Sequence, residues 1–386
     1  MRIQTSQVAL ERGLSVVSRA VAARHSLDQL RHVHLAADED GVRLTATDTE
    51  IALIVQIDAA VDEPGAITVP HRFINDLVSA LDAADLIIDV ADGSLVTQIR
   101  ASDANESSIH GMSPSSYPNI PGVGEGDWIK IVASDLREAL RHVVFAAATD
   151  DGRPVLTGVH FRFEGDTMTL AAADGFRLAV YDMSVASELS ETLELTVPAR
   201  ALSELERLLS DEDASVEMYI HHDRSYVRFH LRNVQMTAQL IQGNYPSYNQ
   251  LIPNEYQTRA VLPGLALQQK VRSAAVFARE SSGIIRLLFN HEQDSNGSGD
   301  GEITLTARAE ELGNHRGRVA ATIEGSDSRI AYNVRYLQEV LQVASGTTAE
   351  IAMETSGPSN PGVFRVVGRD NYVHVLMPMF VQWEDG

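Results

Sequence analysis

The chain has 386 residues, a formal net charge of −22 and no cysteine. Its length indicates two or three domains, and a hydrophobic fraction of 44% indicates a globular rather than a disordered chain. The lack of cysteine excludes disulfides, cysteine-ligated metals and thiol nucleophiles. The negative charge argues against a protein that is basic overall and coats nucleic acid or anionic membranes, but it leaves room for a local basic surface.

The sequence also argues against membrane insertion and export. No run of 18 apolar residues occurs, and the N-terminal stretch MRIQTSQVALERG lacks the apolar segment of a signal peptide. We therefore expect a soluble, cytoplasmic protein.

In chain order, the first predicted elements are a helix over residues 6–20, strands within 41–57, a helix over 71–82 and a hairpin that turns at Asp92-Gly93. A proline-marked connector, SSYPNIPGVGEGD, follows. The same order returns twice. The corresponding helices cover 135–148 and 199–210, then 265–280 and 334–344, and the hairpin turns lie at His222-Asp223 and 358–362. A second connector, GNYPSYNQLIPNE, precedes the third set.

The helices of the three sets share one apolar register. Arg72, Arg200 and Arg335 align, and each is followed by apolar residues two, five and nine positions later. The first helix of each set has apolar residues spaced four, three and four apart: Leu10, Leu14, Val17 and Val21; Leu136, Leu140, Val143 and Ala147; Leu267, Val271, Ala274 and Ala278. This register predicts an α+β chain of three repeated domains over residues 1–122, 128–253 and 258–386, each with two helices packed on antiparallel sheets. Three unrelated α+β domains are the alternative.

Four short motifs resemble functional sites. The run GVGEG at 122–126 does not follow a strand, which favours a linker over a phosphate loop. The run DSNGSGDGE at 294–302 has leucine where a calcium loop needs glutamate, which favours a solvated hairpin loop. His221-His222 and Asp174-Gly175 are typical of turns. We therefore predict no catalytic site, no metal and no cofactor, with a metal-dependent hydrolase that uses Asp174 and His221-His222 as the alternative.

Positive charge is concentrated on the predicted helices. Their 80 residues hold 11 basic and nine acidic side chains, whereas the remaining 306 residues carry a net charge of −24. Such a distribution attracts a polyanion to the helical surface and repels it elsewhere. Ordinary solvated arginines are the alternative explanation.

Several motifs, in this order and spacing, resemble one family over essentially the whole chain. They are the threefold helix register, the connectors YPNIP and YPSYNQLIP, the run LAAADGFRLAV at 170–180 and the run VLMPMF at 375–380. The chain resembles the bacterial sliding clamp, the DNA polymerase III β subunit. The resemblance implies a head-to-tail homodimer whose six domains form a ring around duplex DNA. It also implies a non-catalytic subunit of a DNA-directed DNA polymerase holoenzyme that tethers the replicative polymerase. A non-DNA scaffold built from the same repeats is a further alternative.

The resemblance and the helix charges together give three sets of expected site residues. The DNA-facing residues are Arg24, Arg72, Arg137, Arg141, Arg153, Arg200, Arg207 and Lys270; Asp150, beside Arg153, departs from the family pattern. The pocket for a Gln-Leu-x-Leu-Phe motif of the polymerase alpha subunit, the clamp loader and repair proteins consists of Leu156, Ala173, Gly175, Phe176, Arg177, Leu178, Pro246, Gln250, Leu251, Asn333, Tyr336, Val375, Met377, Pro378 and Met379. The apolar dimer interface comprises Ile109, Val276 and Phe277. The tail at 382–386 also departs from the family, and we expect its Trp383 to lie over the pocket.

Overall fold

The computed structural model describes residues 1–22, 25–82, 85–102, 105–150, 152–187, 189, 191–210, 214–291, 298–344 and 349–383. This part of the chain contains six α-helices, each close to a predicted one: α1 (Gln7–Val17), α2 (His71–Ala80), α3 (Ala133–Val143), α4 (Ala199–Leu208), α5 (Gly264–Arg279) and α6 (Val334–Ala344). Short 3-10 turns, Ser18–Ala20 and Val144–Ala146, follow α1 and α3.

The described part also contains 25 strands. The first ten are β1 (Arg2–Ser6), β2 (His32–Asp38), β3 (Gly41–Thr47), β4 (Ile51–Ile57), β5 (Ala59–Glu63), β6 (Gly65–Pro70), β7 (Asp85–Asp89), β8 (Val96–Ser102), β9 (Asn105–His110) and β10 (Gly126–Val132). The next seven are β11 (Gly158–Glu164), β12 (Thr167–Ala173), β13 (Arg177–Ser184), β14 (Leu193–Pro198), β15 (Ser215–His221), β16 (Tyr226–His230) and β17 (Val234–Gln239). The last eight are β18 (Thr258–Pro263), β19 (Ile284–His291), β20 (Ser298–Ala309), β21 (Gly313–Gly325), β22 (Ser328–Asn333), β23 (Glu350–Thr355), β24 (Gly362–Val366) and β25 (Arg369–Leu376).

The chain forms two compact units. The first comprises Met1–Leu136, Val185–Leu189 and Arg200–Leu240, and the second comprises Arg137–Ser184, Ser190–Ala199 and Ile241–Gly386. The first unit holds a five-stranded sheet, in the order β5-β1-β7-β8-β9, and an eight-stranded sheet, in the order β10-β15-β16-β17-β4-β3-β2-β6. The second unit holds a 12-stranded sheet, in the order β14-β11-β12-β13-β25-β24-β23-β18-β21-β20-β19-β22.

Two antiparallel strand pairs join consecutive repeats into continuous sheets. In the first unit β17 pairs with β4, and in the second unit β13 pairs with β25. Each pair extends one repeat's sheet into that of the next, so hydrogen bonding does not stop where a repeat ends. For this reason three sequence repeats appear as two compact units.

The helices bury the apolar stripes that their spacing predicts. In α1, Leu10, Leu14 and Val17 are fully buried, and the Ser6 hydroxyl accepts a hydrogen bond from the Ala9 amide at the helix start. In the third repeat, the predicted positions of α5 and α6 are likewise buried. Helix α2 departs from the predicted register of apolar residues two, five and nine positions after Arg72, because its buried residues are His71, Ile74 and Val78.

Two local expectations have clear outcomes. The turns predicted at Asp92-Gly93 and His222-Asp223 do separate β7 from β8 and β15 from β16. The hairpin loop predicted through residue 302 is wrong, because β20 already begins at Ser298 and pairs with β21 from that residue on; residues 292–297 lie outside the described part. None of the described helices is long and apolar enough to cross a bilayer.

Candidate functional site

The second unit carries an apolar row across four adjacent strands. Ala173 on β12 pairs with Leu178 on β13, Leu178 pairs with Val375 on β25, and Val375 pairs with Val363 on β24. The side chains of all four residues are buried in one hydrophobic cluster. This row brings together residues of the second and third repeats.

The connector that contains YPSYNQLIP packs against this row. Tyr248 and Ile252 are half-buried against the cluster, and the Tyr245 hydroxyl accepts a hydrogen bond of 3.0 Å from the Ala173 amide. The Tyr245 ring stacks on His160 with centroids 4.9 Å apart. Burial raises the pKa of Tyr245 to about 12, so its hydroxyl stays protonated at neutral pH. The connector is therefore fixed beside the apolar row.

A tight turn precedes β13. The Asp174 carboxylate accepts hydrogen bonds from the amides of Phe176 and Arg177, at 2.9 and 3.1 Å. Gly175 has a φ of +92°, and a side chain there would clash with the guanidinium of Arg153, which lies over the glycine. The turn predicted for Asp174-Gly175 is confirmed, and it leaves Phe176 57% exposed.

The guanidinium of Arg177 is buried and fully engaged. It donates to the Asp174 carboxylate at 3.0 Å, to the Phe145 carbonyl at 2.6 Å and to the Glu339 carboxylate. It also lies over the Tyr336 ring, 4.6 Å from the centroid. The resemblance places Arg177 in the pocket for the peptide motif. The structure gives it a positioning role, since its donors hold the turn, helix α6 and the 3-10 turn that contains Phe145.

Exposed apolar side chains surround the buried row. Phe176 stacks with Tyr336 at 6.2 Å between centroids. Leu251 is 56% exposed and Met377 is 44% exposed. We call the buried row and this rim the peptide surface, after the peptide motif that the sequence leads us to expect there; it comprises Ala173, Phe176, Leu178, Tyr248, Leu251, Ile252, Tyr336, Val363, Val375 and Met377.

The segment after β25 is held by backbone hydrogen bonds. The Met377 amide donates to the Phe176 carbonyl at 2.8 Å, and the Met379 amide donates to the Ala331 carbonyl at 2.7 Å. These bonds fix the Met-Pro-Met run beside the turn. Trp383 lies against the guanidinium of Arg329, 5.2 Å from its ring centroid. The expectation that Trp383 lies over the pocket stays a prediction, and residues 384–386 lie outside the described part.

The other predicted pocket residues have different surroundings. Leu156 is buried, whereas Pro246 and Gln250 are exposed on the connector. The Asn333 side chain accepts a hydrogen bond from the Arg335 amide, so it caps α6 and is engaged within the chain. The sequence reading missed Tyr245, Tyr248 and Ile252, although the aromatic spacing of the YPSYNQLIP connector is a signal that points to them.

Two fully buried polar rings lie behind the peptide surface. His374 stacks on Phe145 at 5.5 Å, and neither of its ring nitrogens has a hydrogen-bond partner among the described residues. Burial, together with the nearby positive charge of Arg177, lowers the pKa of His374 to about 3. Burial also raises the pKa of Tyr372, so both rings are neutral at physiological pH.

The basic residues predicted to face DNA differ in exposure and in ion pairing. The side chain of Arg72 is 95% exposed and lies 3.8 Å from the Asp76 carboxylate on the same helix. Lys270 and Arg141 are also exposed, whereas Arg137 is half-buried. Arg200 makes ion pairs with Asp48 and, at 3.3 Å, with Glu50. Arg207 pairs with Glu204, and so does Arg19.

Two further basic residues need separate mention. The Arg153 guanidinium donates to the Asp174 carbonyl at 3.0 Å. Arg24 lies outside the described residues. The charge of the predicted DNA-facing set is therefore unevenly available, because Arg72, Arg200 and Arg207 already lie beside acidic side chains.

The predicted dimer-interface residues are not equally exposed. Val276 is 65% exposed on α5, and Phe277 beside it stacks on His315 at 5.9 Å. Ile109 is only 3% exposed, so its side chain belongs to the core of the first unit. Within the described residues, no group of three or more histidines and acids could hold a metal ion.

Comparison with known proteins decides the family. Three family models of the DNA polymerase III beta subunit match this chain. The N-terminal domain matches residues 1–121, the central domain matches residues 130–247 and the C-terminal domain matches residues 249–380. The chain belongs to the DNA polymerase III beta subunit family. The beta sliding clamp of Synechococcus elongatus is 31% identical over 383 residues, which cover 98% of this chain and 99% of that protein.

Solved structures agree with this membership. The DNA polymerase sliding clamp of Bacillus subtilis has a TM-score of 0.91 and 26% identity, with 99% of this chain and 100% of that one covered. A Pseudomonas aeruginosa sliding clamp bound to griselimycin has a TM-score of 0.88 and 26% identity, with the same coverage. The predicted family and three-domain α+β fold are confirmed. The chain is a DNA sliding clamp of replication, and its role in the polymerase is non-catalytic.

We predict that replacing Arg177 destabilises the fold. Arg177→Ala leaves Asp174 and Glu339 without their buried cation, and we expect the free energy of unfolding to fall by about 3 kcal/mol. The matched variant Arg153→Ala removes one exposed hydrogen bond, and we expect a loss of at most about 1 kcal/mol. Urea unfolding of both variants gives the comparison. Equal losses would contradict the positioning role.

We also predict that His374 makes stability depend on pH. Its pKa is lower in the folded state than the ordinary 6.5, so the stability that the neutral ring contributes is complete above pH 6.5 and is lost as pH falls towards 3. His374→Phe keeps an aromatic ring between Phe145 and Phe364. Between pH 7 and pH 5 this variant should lose about 2 kcal/mol less than the wild type.

The exposed His222 gives the control for this measurement, because His222→Phe makes the same replacement at a side chain that lies in solvent. Urea unfolding at the two pH values measures the difference. An identical pH dependence for His374→Phe and the wild type would contradict the assignment of this pH dependence to His374.

Proposed function

We propose that two copies of this clamp close head to tail into a ring that encircles duplex DNA, and that the peptide surface holds its protein partners. The observation that supports this proposal is an exposed apolar rim over a rigid buried row, in a chain of the sliding clamp family. Phe176, Leu251 and Met377 keep 57%, 56% and 44% of their surface in solvent. Apolar exposure of this kind is typical of a site for a partner.

The chemistry of the peptide surface suits a short motif with leucine and phenylalanine side chains. Such side chains remove the exposed rim from water, and a few large apolar anchors supply most of the affinity in interfaces of this type. Met377 adapts its shape to different neighbours, which favours a site shared by several partners. We propose a Gln-Leu-x-Leu-Phe motif, carried by the replicative polymerase alpha subunit, the clamp loader and other proteins.

The proposed ring uses three domains in each copy, over residues 1–122, 128–253 and 258–386. Each domain contributes two helices, so 12 helices would line the hole of a two-copy ring. Arg72, Arg141 and Lys270 are exposed on these helices and would meet phosphates, which carry no sequence information. Arg24 stays a prediction of the same role. We place this activity in the cytoplasm.

Encirclement needs few strong contacts with DNA. A closed ring is held topologically, so phosphate contacts only have to centre the duplex through screened attraction. Because Arg200 and Arg207 are already paired with acids, the lining has fewer available charges than its sequence indicates. This arrangement favours sliding over tight binding.

We expect the protein to stay on circular DNA and to leave linear DNA. The clamp loader would place it on a nicked plasmid, gel filtration would show co-elution, and cutting the plasmid would release it. Equal retention on circular and linear DNA would contradict encirclement. Complete loss from circular DNA would favour a scaffold that does not hold DNA.

Charge reversal gives a matched control for the DNA-facing residues. Arg72→Glu with Lys270→Glu should lower the amount loaded, because both side chains are exposed on helices. Arg43→Glu alters a strand arginine outside the helices and should leave loading unchanged.

The peptide surface has its own test. Met377→Ala should weaken binding of a Gln-Leu-x-Leu-Phe peptide by about 1–3 kcal/mol, which isothermal calorimetry measures directly. Val367→Ala removes a similarly exposed apolar side chain, 42% exposed, from a turn of the same unit, and should have no effect. Unchanged affinity in Met377→Ala would refute the assignment of the peptide surface.

A further inference from the structure

The first unit repeats the strand arrangement that carries the peptide surface in the second unit. Thr47 on β3 pairs with Ala52 on β4, Ala52 pairs with Thr237 on β17, and Thr237 pairs with Arg228 on β16. All four side chains are buried. The repeat places them, in the same order, at the positions of Ala173, Leu178, Val375 and Val363. The first unit therefore has the same row, with polar instead of apolar side chains.

The turn before β4 has the same geometry as the turn before β13. The Asp48 carboxylate accepts hydrogen bonds from the amides of Glu50 and Ile51, at 3.1 and 2.9 Å. Asp174 accepts the equivalent pair in the second unit. Thr49 has a φ of +82°, close to that of the glycine in the second turn. The backbone of the two turns is therefore equivalent.

The two connectors begin alike and differ in length. Tyr117 stacks on His34 with centroids 5.3 Å apart, as Tyr245 stacks on His160. From this tyrosine to the second proline, however, the first connector reads YPNIP and the second reads YPSYNQLIP. The four extra residues, 248–251, hold two members of the peptide surface, so the first unit has no counterpart for them.

The rim of the first unit is polar as well. Glu50 is exposed at the position of Phe176. Its carbonyl accepts a hydrogen bond of 3.0 Å from the Gln239 amide, and the Phe176 carbonyl accepts the equivalent bond from Met377. Gln239 is also exposed, at the position of Met377. The first unit therefore offers a carboxylate and an amide where the second offers two large apolar side chains.

Arg228 connects the polar row to the short connector. Its side chain is buried, and it donates to the Thr237 hydroxyl at 3.0 Å and to the Pro121 carbonyl. The Tyr226 hydroxyl donates to the Gly122 carbonyl at 2.7 Å beside it. An apolar ligand on this row would bury a guanidinium against hydrocarbon or separate it from Pro121. Both are costly, because a buried charge needs its hydrogen-bond partners.

We propose that Arg228, together with the short connector, excludes the Gln-Leu-x-Leu-Phe motif from the first unit, so that each chain binds the motif at the peptide surface alone. This inference rests on the proposed peptide surface and adds the residue that keeps a second, equivalent frame closed. A charged group placed against the wrong ligand is a general source of specificity.

Conversion of the first unit tests this role by isothermal calorimetry, which counts the peptides bound by each chain. The converted chain carries Glu50→Phe, Arg228→Val, Thr237→Val and Gln239→Met, with Tyr-Asn-Gln-Leu inserted after Asn119. We expect one peptide for each wild-type chain and two for each converted chain. The matched control carries the same changes but keeps Arg228, and it should bind one. Circular dichroism checks that both chains are folded.

The reciprocal change gives a result even where the converted chain does not fold. Val363→Arg with Val375→Thr transfers the buried pair of the first unit into the second. We expect peptide affinity to fall at least about a hundredfold while the circular dichroism spectrum stays that of the wild type. An unchanged affinity would overturn the proposed exclusion by arginine.

The outcomes separate this inference from the peptide surface itself. A wild-type chain that binds no peptide would overturn both. A wild-type chain that binds two peptides would overturn the exclusion alone. A folded converted chain that binds one peptide, or a control chain that binds two although it keeps Arg228, would also overturn the role of Arg228 and leave the peptide surface standing.

Discussion

The antiparallel pairing of β13 with β25 is the contact on which the peptide surface depends. It places Leu178 of the second repeat beside Val375 of the third, and the neighbouring strands extend the row to Ala173 and Val363. Neither repeat has this row by itself. A site built where two domains share a sheet is rigid, because backbone hydrogen bonds on both sides hold its floor.

A buried charge supports the same surface. Arg177 places a cation among buried rings, and such a group is stable only when its donors are satisfied. Asp174, Glu339 and the Phe145 carbonyl satisfy them, and each belongs to a different segment around the peptide surface. The guanidinium therefore orients the turn that presents Phe176. Exposed binding residues on a hydrogen-bonded support are a common solution for recognition.

Ion pairs within the chain change the charge that the helices present. The sequence places a net positive charge on the helices, but the structure shows that Asp48 and Glu50, in the turn between β3 and β4, pair with Arg200. Acidic side chains thus set how much of the positive charge is available to a polyanion.

The sequence alone determined the helices, their buried stripes in α1, α5 and α6, the Asp174-Gly175 turn and the family, because each depends on residues close in the chain or on motifs read in order. Only the tertiary structure decided that Ile109 is buried while Phe73 is exposed, and that Arg177 and Asn333 are engaged within the chain. Exposure and ion pairing depend on neighbours far apart in sequence. Residue spacing fixes which face of a helix is apolar, but packing decides which side chains remain in water.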